Sequence, residues 1–150
     1  MKIDHVNIVV ADLERAARFY ESVFGLSRGF SATLEGAWIE TVTAIPGARA
    51  ACLFLHAPDG SARLELICYE GNRAQIGENS LPHTPGLRHL AFEVENIETT
   101  LQKAREWGIE PISASVEVPF RVGNLGAKRL VYFHDLDGTL LEAAAYNSSP

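Results

Sequence analysis

The chain is short of cysteine, of basic charge and of long apolar runs. Its only two cysteines, Cys52 in "ACLFL" and Cys68 in "ELICY", sit in apolar strand-like stretches. Two such thiols exclude a disulfide framework, and reduced, buried side chains are expected in place of a disulfide or a nucleophile. Lysine and arginine number 13 against 19 aspartates and glutamates, a net charge of −6. That balance disfavours nucleic acid or an anionic membrane surface as a partner, since both attract basic proteins. No segment is long and apolar enough to span a bilayer. The opening "MKIDHVN" carries no apolar stretch of signal-peptide type, so a cytoplasmic protein is expected. Low-complexity tracts are absent as well. What remains is an ordinary globular composition, long enough for one domain or for two small fused modules.

The chain repeats itself. Residues 3–10, "IDHVNIVV", read as a strand. Asp12 then offers an N-cap, and Leu13, Ala16, Ala17, Tyr20 and Phe24 recur at helical spacing. Gly25 suits a left-handed cap. Strand-like stretches follow at roughly 28–42, 51–57 and 62–70, with Asp59-Gly60 as a hairpin turn between the last two. The second half has the same order. A strand is expected from about Leu87 to Val94. Asn96 caps a helix bearing Ile97, Leu101 and Ala104, and Gly108 ends it. Strands are expected near 112–122, 128–134 and 139–146, with Asp137-Gly138 as the matching turn. His5 precedes Asp12 by seven residues, and His89 precedes Asn96 by seven. The pattern predicts an α+β fold made of two βαβββ modules, about 1–70 and 87–146. A linker of about 71–86 joins them within one domain spanning 1–150.

Strand side chains alternate between faces. In the first strand Val6, Ile8 and Val10 suit the helix-packed face, which turns His5 to the other. In the fifth, Leu90, Phe92 and Val94 do the same for His89. The last strand of each module carries one glutamate among apolar residues, Glu65 in "RLELICY" and Glu142 in "LLEAAAY". A charge there is costly without a partner. A lone strand histidine is ordinarily structural, and a lone strand glutamate ordinarily solvated. The repeat changes that reading. If the two modules face each other, two imidazoles and two carboxylates converge, a set that suits Zn²⁺, Ni²⁺, Co²⁺, Mn²⁺ or Fe²⁺. One irregularity stands out: Gly60 precedes Glu65 by five residues, whereas Gly138 precedes Glu142 by four. The first turn must be longer by one, or its strand must carry a bulge.

The segments "DHVNIVVADLERAARFYESVFGL", "LELI", "GLRHLAFEVENIE" and "YFHDLDGTLLE" resemble the vicinal oxygen chelate superfamily over essentially the whole chain. Glyoxalase I, methylmalonyl-CoA epimerase, extradiol dioxygenases, fosfomycin-resistance enzymes and bleomycin-binding proteins belong to it. The resemblance implies paired βαβββ modules forming a cupped sheet around one divalent metal. It places the ligands at His5, Glu65, His89 and Glu142. Bacterial glyoxalase I has this same order of ligand types, whereas the epimerases typically have glutamine where this chain has Glu65. Glu40 in "AWIETV" falls near the second catalytic carboxylate of the epimerases, on the second strand.

A metal-dependent isomerase or lyase is therefore expected, moving a proton beside a metal-bound carbonyl by way of an enediolate. Glu142 would serve as ligand and base, with Glu65 or Glu40 at the second proton position. No organic cofactor is called for. The alternatives are an Fe²⁺ extradiol-type dioxygenase that uses His5, His89 and Glu142, and a non-enzymatic drug-binding protein. A small-molecule substrate and a homodimer are expected. Arg121, Lys128 and Arg129 suit an acidic substrate group or a solvated basic face, and Trp38 and Phe120 suit a pocket wall. His83 is expected to be exposed. His56 and His134, at matched positions beside the two turns, are expected to be structural or at the surface.

Overall fold

Alternating apolar and polar residues in "HVNIV" give the first strand, β1 (His5–Val9). In a computed structural model, which describes residues 3–71, 86–87 and 89–147, Ile8 and Val10 are buried while His5, Asn7 and Val9 are exposed on the opposite face. Helix α1 (Leu13–Phe24) follows. The Asp12 carboxylate accepts the Arg15 N–H at 2.9 Å, and Ala16, Ala17, Phe19, Tyr20 and Val23 bury one face. Gly25, at φ 70°, takes the left-handed conformation that ends the helix and donates its N–H to the Glu21 carbonyl.

The next stretch departs from expectation. Strand β2 (Ser27–Leu34) stops early, and residues expected to extend it form helix α2 (Ala37–Thr43). Gly36, at φ 89°, makes the turn. The β-branched residues of "AWIETVT" favour a strand. Here the Thr41 and Thr43 hydroxyls donate to the carbonyls four residues back, on Ala37 and Ile39, at 2.7 and 2.6 Å. Such back-bonding fits a helix, and burial of Ile39 anchors it. Strands β3 (Ala50–His56) and β4 (Arg63–Tyr69) complete a four-stranded mixed sheet in the order β1-β4-β3-β2, on which α1 packs across β3 and β4.

The second half repeats the plan with β5 (His89–Glu93), α3 (Ile97–Arg105), β6 (Val116–Arg121), β7 (Ala127–His134) and β8 (Leu140–Asn147). Its sheet order is β5-β8-β7-β6, and α3 lies on β8. The Asn96 side chain caps α3 by accepting the Thr99 N–H at 2.8 Å. Regular helix ends at Arg105, and Gly108, at φ 76°, closes the turn beyond it. Ile97, Leu101 and Ala104 are buried, as are Val131, Phe133, Leu141 and Ala143. Chain contacts divide into two compact units, Met1–Gln75 and Ile76–Pro150. Most of the linker expected at 71–86, with His83, lies outside the described residues. Among the described residues no helix is long and apolar enough to cross a membrane.

The irregular glycine spacing has a simple origin. The β3–β4 register runs without a break from Ala50 opposite Tyr69 to Leu55 opposite Leu64. The extra residue lies in the turn, which spans 57–62 in the first unit and 135–139 in the second.

Candidate functional site

The parallel pairing of each unit's first and last strands sets the site. Asn7 lies opposite Glu65, and Ala91 lies opposite Glu142. In both units the histidine stands two residues before the residue that faces the glutamate, so histidine and carboxylate rise from one face. His5 Nε2 lies 3.3 Å from Glu65 Oε2, and His89 Nε2 lies 3.4 Å from Glu142 Oε2.

In the first unit the pair is braced from behind. Asp4 Oδ2 accepts from His5 Nδ1 at 2.7 Å and from the Arg63 guanidinium at 2.6 Å. These two donors, His5 first, hold the Asp4 carboxyl below its ordinary range. Arg63 lies over the Phe54 ring, and that ring meets His5 edge-on at 5.5 Å between centroids. Glu65 Oε2 accepts from the Asn7 amide at 3.3 Å, and Oε1 accepts from the Cys52 thiol at 3.4 Å.

The second unit meets its carboxylate differently. Glu142 is 3% exposed, and its Oε1 lies 2.5 Å from the Lys128 ammonium. The contact pairs the charges without the direction of a well-formed hydrogen bond. Burial lowers the Lys128 pKa, but Glu142 more than offsets that and holds it above the ordinary value. Lys128 also lies over the Tyr146 ring, 5.7 Å from its centroid. Tyr132 sits opposite Glu142, with its ring 5.3 Å from that of His89. Burial and then the Glu142 charge push the Tyr132 phenol up.

Both pairs consist of side-chain types that can ligate a metal, and the first is oriented for it. A carboxylate only accepts hydrogen bonds, so His5 Nδ1 carries the proton shared with Asp4. In the neutral ring this turns the Nε2 lone pair toward a second acceptor, Glu65 Oε2. Two acceptors at that separation need a proton or a cation between them. Two ligands each about 2.1 Å from one ion lie roughly 3.0–3.4 Å apart for right-angled to tetrahedral arrangements. The carboxylate behind the imidazole is the usual outer support of a metal-binding histidine. Among the described residues no three His, Cys, Asp or Glu side chains form a ready-made cluster for an ion; each unit brings together one histidine and one glutamate.

Other expected residues fall elsewhere. Glu40 is exposed on α2, so its placement on the second strand is corrected. Trp38 is on the same helix, and Phe120 and Arg121 are on β6; all three are exposed. Arg129 points to Glu98, at 3.7 Å, and fits the solvated basic face. His56 stands at the end of β3, where its ring fills the space beside Gly29, and His134 ends β7. Cys52 and Cys68 are free thiols. Cys52 is buried, while Cys68 is only half-buried and donates to the Ala11 carbonyl. Sequence reasoning missed Asp4, Asn7 and Tyr132, gave Cys52 no site role and left Lys128 without a partner. A signal for Lys128 was present: in "AKRLVYFH" the apolar Val131 and Phe133 mark the core face, which puts Lys128 and Tyr132 together on the other.

The fold has a known counterpart. The chain belongs to the Glyoxalase/Bleomycin resistance protein/Dioxygenase superfamily, whose family model matches residues 2–143. It is 26% identical over 144 residues to the mitochondrial methylmalonyl-CoA epimerase of Homo sapiens, covering 94% of this chain and 72% of that protein. It is 25% identical over 151 residues to Glyoxylase I 4 of Arabidopsis thaliana, covering 99% and 72%. A crystal structure of a glyoxalase family protein from Bacillus cereus superimposes with a TM-score of 0.80 at 25% identity, over 97% of this chain and 94% of that one.

Proposed function

We propose that the protein is a metal-dependent isomerase or lyase of the glyoxalase and epimerase kind, and that His5, Glu65, His89 and Glu142 together hold one divalent ion, Zn²⁺, Ni²⁺, Co²⁺, Mn²⁺ or Fe²⁺. The observation that carries this reading is the repeated pair, His Nε2 beside Glu Oε2 at 3.3 and 3.4 Å, at the same strand register in each unit. Such an ion, when bound, polarises a carbonyl oxygen and acidifies the neighbouring C–H. The chain's own groups do the rest. Glu142 takes the proton from carbon, and Glu65 serves the second proton position. Glu40, which lies on α2, is the alternative for that second position. His5 is held in one tautomer by Asp4. Exposed Arg121, Trp38 and Phe120 are assigned to substrate contact. The reading includes a cytoplasmic homodimer acting on a small molecule, and its mass in solution checks the dimer.

The test begins with protein purified without chelators. Elemental analysis is expected to find a bound divalent metal, and turnover is expected with methylglyoxal plus a thiol or with a short acyl-CoA thioester. Glu142→Gln should lower kcat by about 10²–10⁴-fold with a much smaller change in KM. Equal losses in kcat and in substrate affinity would remove the base role. A protein that takes up no added cation would overturn the reading, and oxygen uptake with a catechol would replace it with the dioxygenase.

A further inference from the structure

The two oxygens of Glu65 are treated differently by their surroundings. Oε2 faces His5 Nε2 and accepts from Asn7. Oε1 points the other way, to the Sγ of Cys52 at 3.4 Å. Cys52 is on β3 opposite Ile67, one diagonal step from the Phe54–Glu65 pair. It is 2% exposed, packed with Ala50, Ile67, Leu34, Phe54 and Tyr69. A terminal carboxylate otherwise rotates through a broad range about its last torsion. A donor fixed in a strand beside it removes that freedom.

We propose that Cys52 is a positioning residue: its thiol holds Oε1 of Glu65 so that Oε2 is the oxygen presented beside His5. The inference rests on the reading of Glu65 as a metal ligand. The second unit supports it independently. The position matching Cys52 there is Leu130, which has no donor, and Oε1 of Glu142 is met instead by Lys128. Each carboxylate thus has its far oxygen met from a neighbouring strand, by a neutral hydrogen-bond donor in one unit and by an ion-paired cation in the other.

Two measurements on the full chain test this. The first needs no metal. In a Cys68→Ala background, Cys52 supplies the single S–H stretching band. Hydrogen bonding to a carboxylate lowers that frequency, and Glu65→Leu is expected to raise it. A band unmoved by Glu65→Leu overturns the proposal. The second is cation affinity by calorimetry with Zn²⁺ or Ni²⁺. Cys52→Ala should weaken binding by about 10–100-fold, the usual scale for an outer support of a ligand. Cys52→Ser keeps an O–H donor and should restore most of it. Undiminished affinity in Cys52→Ala, or a serine variant as weak as the alanine one, overturns the proposal, because the side chain would then act only by filling space. A wild-type protein that binds no cation instead defeats the functional reading, and the infrared band still decides the role of Cys52.

Discussion

Glu142 is a buried charge on the apolar strand β8, and Lys128 is the cation beside it. Removing one partner of such a pair leaves the other uncompensated and destabilises a protein strongly. Lys128→Met should therefore lower the stability of the metal-free protein by about 3 kcal/mol. Added Zn²⁺ should recover part of that loss, since a cation then meets the same carboxylate. Thermal melts with and without metal check both halves. The histidine and glutamate positions were legible because strand alternation alone decides which face a side chain takes. The partners were less so. Cys52 reaches Glu65 through a diagonal contact set by the β3–β4 register, which no local pattern encodes. Asp4 acts from just before β1, where alternation gives no guide.

The elements followed their local signals where those signals were unopposed. Asp12 and Asn96 cap their helices, and the glycine after α1 closes it left-handed. The exception, α2, shows what competes. "AWIETVT" carries strand-favouring residues, but Gly36 turns the chain, and two threonine hydroxyls satisfy helix carbonyls. The β2–β3 ladder shows a second constraint. Its register shifts between Arg28 and Ser31, and a Cβ on Gly29 would come within 2.1 Å of His56 Nε2. Gly29→Ala should cost about 1–3 kcal/mol through overpacking. Pairing it with His56→Ala should return most of that cost, a coupling that a double-mutant cycle reads directly.

At the scale of the whole chain, the repeat is what turned two ordinary histidines into a candidate site. The order of strands, the sheet order and the histidine–glutamate register all recur. The two copies differ in what surrounds the carboxylate: Asn7, Cys52 and Phe54 in the first, Ala91, Lys128 and Tyr132 in the second. If one ion draws on both units, the stoichiometry is one per chain, and His5→Ala and His89→Ala should each abolish tight binding. Two ions per chain, each lost with only one of these variants, would mean that the pairs act separately. Titration calorimetry with elemental analysis distinguishes these outcomes. The sequence carried the repeat plainly, because periodicity within each copy is local.

The corner at 57–62 is one residue longer than its counterpart at 135–139, yet both strands beyond it bring their glutamate to the same rung. The ladder, not the bend, keeps the count. Length can therefore drift at that bend without disturbing the pairing below it, which makes this tip a place where foreign peptide can be spliced in while the histidine–glutamate pair stays in step.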